Sequence, residues 1–269
     1  MSFFQNLVKY FAYVLAALII FSIIFGINSL LVGLGSVSDS NNEIKKDVTN
    51  LECKGNISLS NLKVNLDYSN LKIVTGNLFE VKSNDNNIKC YEDDGYIVVD
   101  ASSSMIKTNQ SDVIISLPDS IRFDDIDIET GAGSLNIDEL YSHKLELSVG
   151  AGETIINTLN VEIADIDTGV GEFNIKDGYV NSIEIDTGVG TSNIKLKVQE
   201  YGNFERGVGK VNLDLIGSLD NYKLNLNKGI GKCYVARNEL RDNETIGSGM
   251  SKIILDGGIG QINVNFIGE

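Results

Sequence analysis

A chain of 269 residues has room for one repeat domain or two ordinary domains. It carries 37 Asp and Glu against 22 Lys and Arg, a net charge of −15 that repels nucleic acid and anionic headgroups and leaves cations, cationic peptides and neutral polymers as partners. One Pro and no Trp among 27 Gly exclude Pro-rich linkers, three Cys are too few for a disulfide scaffold, and one His leaves little scope for histidine metal sites or His-dependent triads.

No residue from Tyr10 to Val37 is charged, and the stretch includes Val14-Leu15-Ala16-Ala17-Leu18-Ile19-Ile20-Phe21. It exceeds the roughly 20 residues that cross a hydrocarbon core, so residues 1–37 read as a membrane anchor. A cleaved signal peptide would have a shorter apolar region and a small-residue cleavage site, for which Ser36-Val37-Ser38 is a poor match. Lys9 precedes the apolar run and Lys45 and Lys46 follow it, so the positive-inside count nearly ties. The expected arrangement is a single-pass protein of the cell membrane with its long C-terminal part outside the cytoplasm. That part holds all 37 acids and all but one of the 22 basic residues, a net charge of −16.

Residues 38–50 are polar and predict a short tether. From residue 51 the pattern alternates, as in Leu62-Lys63-Val64-Asn65-Leu66 and Leu71-Lys72-Ile73-Val74, which predicts half-buried strands. Asn84-Asp85-Asn86-Asn87 and Asp93-Asp94-Gly95 are hairpin-like turns, and Val113-Ile114-Ile115-Ser116-Leu117 leads into Pro118. No long helical period follows the anchor, so the C-terminal part is read as nearly all β. Whether Cys53 pairs with Cys90 stays open at this level.

The dominant feature is Gly-x-Gly at a fixed period. Gly131-Gly133, Gly150-Gly152, Gly169-Gly171, Gly188-Gly190 and Gly207-Gly209 recur every 19 residues, and looser copies follow at Gly229-Gly231 and Gly258-Gly260. Such a period marks stacked repeats. Three residues before the first Gly stand Ile128, Leu147, Ile166, Ile185, Phe204, Leu226 and Leu255; six after it stand Ile137, Ile156, Ile175, Ile194, Leu213, Val235 and Val264. Side chains two apart share a strand face, so each repeat predicts a strand, a glycine corner and a second strand with both apolar faces inward. One rung cannot bury that face alone and a stack can. The fold class is therefore all-β: a single-chain β-solenoid over residues 51–268, regular over 123–268, with the glycines as structural corners.

The repeat Ile126-Asp127-Ile128-Glu129-Thr130-Gly131-Ala132-Gly133-Ser134-Leu135-Asn136-Ile137 resembles the bacterial "putative adhesin" domain of unknown function, also called the toast-rack type. Ser116-Leu117-Pro118 followed by Phe123-Asp124-Asp125-Ile126-Asp127-Ile128 is similar to that family's entry into its repeats, and the resemblance covers about residues 51–268. It implies a β-solenoid of the cell envelope, commonly behind an N-terminal membrane helix and related to envelope-stress proteins that sit beside cell-wall-antibiotic sensors. It supplies no catalytic residues.

Gly-x-Gly without a third Gly and a following helix is not a dinucleotide fingerprint. His143 lies in the polar segment Tyr141-Ser142-His143-Lys144, expected to be a turn, and Cys233 falls in an inward column as a buried thiol. The outward columns carry more chemistry. Asp127, Glu146, Asp165 and Glu184 stand four residues before the first Gly; Glu129, Asp167, Asp186, Glu205 and Asp256 stand two before it. Asp165, Asp167, Glu184, Asp186 and Glu205 make up a carboxylate grid that predicts either a solubility device or weak binding of a divalent cation such as Ca²⁺. Asn136, Asn174, Asn193, Asn212 and Asn263 form a further column that predicts a structural amide ladder.

No other cofactor is expected. The functional expectation is a non-catalytic binding, adhesion or scaffold module held at the membrane, with a surface polymer, cationic peptide or envelope protein as partner and no nucleic acid. One alternative is an accessory or sensor of an envelope-stress response. Another is a polysaccharide-active enzyme, disfavoured because a flat repeated grid lacks a cleft that would single out two acids.

Overall fold

The computed structural model of the chain describes residues 48–55, 60–101, 110–119 and 121–268. The expected membrane helix over residues 1–37 and most of the 38–50 tether lie outside the described residues. Among the described residues no helix is long and apolar enough to cross a membrane. They belong to one compact unit, Asp47–Glu269.

That unit is all-β. It runs β1 (Thr49–Leu51), β2 (Asn61–Gly76), β3 (Glu80–Ser83), β4 (Ile88–Asp93), β5 (Tyr96–Ala101), β6 (Ser111–Pro118), β7 (Phe123–Ile175), β8 (Gly178–Ile216), β9 (Tyr222–Asn227), β10 (Ile230–Val235), β11 (Asn238–Glu239), β12 (Glu244–Ile246) and β13 (Ser251–Ile267), with one 3-10 turn at Leu219–Asn221. The tether is shorter than expected, because Thr49 and Asn50 already pair with β3. The long β7 and β8 are winding ribbons whose successive rungs pair in parallel at the 19-residue register, as in Ile166↔Ile185 and Ile175↔Ile194. The columns that define the repeat are the buried ones: Ile128, Ile137, Ile156 and Ile166 are all 0% exposed.

Four consecutive rungs have a third inward segment that the repeat alignment did not separate. Leu140 and Ser142, then Leu159 and Val161, then Val180, and then Leu196 and Val198 are buried beyond the second strand. Their signal is weak because the spacing slips by one residue between Val180 and Leu196. For the same reason His143 sits within β7 rather than in a turn. Gly202, an apparent gap in an apolar column, is covered by Phe204: a Cβ there would lie 2.8 Å from the Phe204 ring.

The two corner glycines divide the work. In six of the seven pairs the second glycine adopts positive φ, 144° at Gly171 and 153° at Gly190, whereas in Gly229-Gly231 the first does, at 61°. Both approach the neighbouring rung so closely that an added Cβ on Gly169 or Gly171 would overlap the carbonyl oxygen of Gly150 or Gly152. The contact is one-sided, each glycine receiving the carbonyl of the rung before it in the stack. β2 supplies the Asp67 and Ser69 carbonyls to Gly131 and Gly133, and carries Asp67-Tyr68-Ser69 where later rungs carry Gly-x-Gly. It is a full rung that lacks the signature.

Spatial order departs from sequence order at both ends. β13, with Gly258 and Gly260, lies between β8 on one side and β9 and β10 on the other, so the seventh copy separates the fifth from the sixth. At the other end β2 lies between β7 and strands β5 and β6, which follow it in the chain. Short antiparallel strands then cover the edges: β3 on β6, β4 on β5, β11 on β10 and β12 on β9. Such strands block the open edge of a parallel stack against pairing with another chain.

Cys53 and Cys90 form a disulfide, with Cα atoms 4.4 Å apart, that ties the segment after β1 to β4. Cys233 is a free, buried cysteine.

Candidate functional site

The expected carboxylates come together on the outer edge of the stack. Asp165 pairs with Glu184 and Asp167 with Asp186, because the 19-residue register sets equivalent residues side by side. β13 adds Asp256 opposite Glu205, and Asn227 follows on the next rung. The ladder therefore continues through a residue 51 positions beyond Glu205, a neighbour that repeat order alone would not supply.

Neutralisation is confined to one end. Lys63 is paired with Asp127 and Lys144 with Glu146. The Lys63 ammonium is held above its usual pKa by that Asp127 bond, and Glu129 and Glu146 add to it. Among the described residues, Asp165, Asp167, Glu184, Asp186 and Glu205 form no ion pair with a basic side chain. Asp186 lies at their electrostatic centre. Its carboxyl is pushed above the usual range, first by partial burial and then by Glu205, Asp167, Asp165 and Glu184. At a strand spacing near 4.8 Å each such repulsion costs somewhat under about 1 kcal/mol in a water-like dielectric.

These side chains form a line rather than a cage. Among the described residues no group of three or more His, Cys, Asp or Glu is placed to hold a metal ion. What the arrangement offers a cation is a row of neighbouring carboxylate pairs, a weaker donor set than a closed loop.

The residues between the glycines add a feature the sequence reading passed over. In spatial order Val189, Val208, Ile259 and Ile230 stand side by side on consecutive rungs and are 48%, 43%, 51% and 73% exposed. They form an apolar ridge three residues along the chain from the carboxylate ladder. The small size of the earlier members, Ala132 and Ala151, conceals it, because an x residue in a corner reads as a spacer.

The remaining predicted residues have structural places. Asn193 donates to Asn174 at 2.8 Å and Asn212 to Asn193 at 2.6 Å, an amide ladder that starts after Ile155 interrupts the column. His143 Nδ1 lies 2.7 Å from Glu162, which also pairs with Arg122. Cys233 is 0% exposed, and burial pushes its thiol up to about 11, which keeps it protonated. Beneath the corners of Gly150, Gly169 and Gly188 lies a cavity of about 20 Å³ lined in part by Thr154, Thr168, Thr187 and Ser192, large enough for about one water. At the C-terminal end Leu226 and Ile254 floor an open groove of about 250 Å³.

No protein-family model matches the chain, and no curated relative matches it. Among solved structures it is similar to a putative adhesin from Bacteroides fragilis NCTC 9343, with 15% identity over 75% of this chain and 91% of that one and a TM-score of 0.44. It is also similar to a putative cell adhesion protein from Clostridium sporogenes ATCC 15579 (15% identity, 77% and 93% covered, TM-score 0.34) and to a putative adhesin from Parabacteroides distasonis ATCC 8503 (11% identity, 82% and 96% covered, TM-score 0.36).

Proposed function

We propose that this chain is a non-catalytic binding module of the cell envelope, held at the membrane by its uncharged N-terminal segment, that captures ligands along one edge of its solenoid. The observation that carries this reading is the unneutralised ladder of Asp165, Asp167, Glu184, Asp186 and Glu205 beside the exposed ridge of Val189, Val208, Ile259 and Ile230. An apolar stripe flanked by acids complements a cationic partner with apolar side chains, and exposed apolar stripes on folded proteins mark interaction surfaces. Cys233 is buried and protonated and so offers no activated nucleophile, which supports a binding role over catalysis. The Cys53–Cys90 disulfide favours an oxidising compartment and so an extracytoplasmic solenoid.

The test is binding of the full-length chain in detergent to a synthetic Leu/Lys peptide and to its Leu/Glu counterpart. The Leu/Lys peptide should bind, more weakly as salt rises, and Val189→Ser with Val208→Ser should weaken it at least as much as Asp167→Asn with Asp186→Asn. Binding of neither peptide, or binding indifferent to the valines, would refute this edge as the capture surface. In cells, a C-terminal reporter active only in the cytoplasm would reverse the orientation.

A further inference from the structure

Arg206, one residue before Gly207, departs from its column. The same place in the three preceding rungs holds Val149, Thr168 and Thr187, whereas Arg206 puts a guanidinium into the corner at 5% exposure. Its Nε, Nη1 and Nη2 are all buried without a hydrogen-bond partner. A guanidinium cannot shed its proton to escape such a site, so the positive charge remains. Burial nevertheless pulls against it and lowers its pKa.

Among the described residues no carboxylate forms an ion pair with Arg206. Glu205 and Asp256 belong to the outward column on their strands. The acidic group acting on Arg206 is the Cys233 thiol, which burial keeps protonated, and Lys228 adds a second positive charge near that thiol. Gly257, the register partner of Arg206 on β13, accommodates the guanidinium itself: a Cβ there would lie 3.0 Å from Nη2. The exchange of the last two rungs creates this juxtaposition, because β13 lays a glycine beside the arginine where the sixth copy would lay Lys228. Free room in the neighbouring corners is small. The hydroxyl-lined cavity of about 20 Å³ ends at Thr187 and Ser192, one rung away, and admits about one water-sized group.

We propose that Arg206 holds a small monovalent anion of halide size inside the corner where β8 meets β13. A bare buried cation is heavily penalised, water brings no charge to offset it, and at 5% exposure Arg206 offers little surface to a larger ion. The anion is a structural counter-ion that locks the inserted β13 rung to β8, next to the ridge of Val208 and Ile259.

Thermal melts of the full-length chain in detergent, in sodium chloride or bromide against sodium gluconate at the same ionic strength, test this. With a dissociation constant near 10 mM, 150 mM chloride favours the folded state about 15-fold, a rise in Tm of about 3 °C or more. Arg206→Met should abolish the difference between salts and melt no lower than the wild type in gluconate. Crystals grown in bromide should show anomalous density at the guanidinium, a result independent of whether Arg206→Met folds. Equal melting in the two salts, retention of the difference in Arg206→Met, or bromide-free density at Arg206 would each overturn the proposal.

Discussion

Asn263 donates its side-chain amide to Asn212 at 2.8 Å although 51 residues separate them. Tyr234, which lies between them in repeat order, pairs instead on the far side of Asn263. This one bond reports the exchange of the last two rungs. It shows the amide ladder following the stack in space rather than along the chain, and a rung inserted last holds its neighbours in place from both sides.

Inward and outward positions of a rung should respond oppositely to charge. Ile166 and Ile185 are 0% and 1% exposed, so Ile166→Asp or Ile185→Asp leaves an uncompensated charge in the stack and should cost about 4 kcal/mol or more. Asp167→Lys or Asp186→Lys, one residue further, should be neutral or stabilising because it relieves like-charge repulsion. Thermal melts that treated both classes alike would invalidate the repeat alignment.

The corner tolerates side chains only at its tip. Gly171→Ala combines a φ of 144° with overlap on the Gly152 carbonyl and should cost about 3 kcal/mol or more. Val189→Ala, on the exposed ridge, should change stability by less than about 1 kcal/mol. Denaturant titrations with an unchanged slope would measure both, and a tolerated Gly171→Ala would contradict the close approach of the rungs.

The raised pKa of Asp186 fixes a sign for pH dependence. A carboxyl whose folded-state pKa lies above its unfolded value stabilises the fold below the unfolded pKa, and that contribution is lost as pH rises through the folded one. Asp186→Asn should therefore melt higher than the wild type at pH 7 and converge with it below about pH 4. Millimolar calcium should raise the wild-type Tm, with an affinity on the order of 10⁻⁴–10⁻³ M, and Asp167→Asn with Asp186→Asn should remove most of that rise. An equal response to sodium at matched ionic strength would reduce the ladder to screening alone.

Reduction of Cys53–Cys90 should loosen the N-terminal edge before the rest. Closing a loop across 37 residues stabilises by about 3–4 kcal/mol in the chain-entropy model. Cys53→Ser with Cys90→Ser should lower stability by a similar amount and speed hydrogen exchange in β4 and β5 first. Cys233 should resist a maleimide until the chain unfolds, since it is fully buried.

Local pattern determined much of this protein. The 19-residue spacing of Gly131 to Gly207, the apolar columns and the outward acids are properties of consecutive residues, so alternation and period reveal the rung, its inward faces and its carboxylate edge. Tertiary structure decided what depends on which rungs touch. Nothing in the spacing of Gly207, Gly229 and Gly258 states that the last copy inserts before the sixth, because parallel strands pair by register whatever the length of the connection between them. The alternation in β2 predicts half-buried strands but not a rung of the stack, for a related reason: it gives carbonyls to the first glycines and so has no glycine signature. The two positions that depend on the inserted rung, Asp256 in the acidic ladder and Gly257 beside Arg206, were set by that pairing alone. Their neighbours lie 51 residues away, and only the folded stack brings them together.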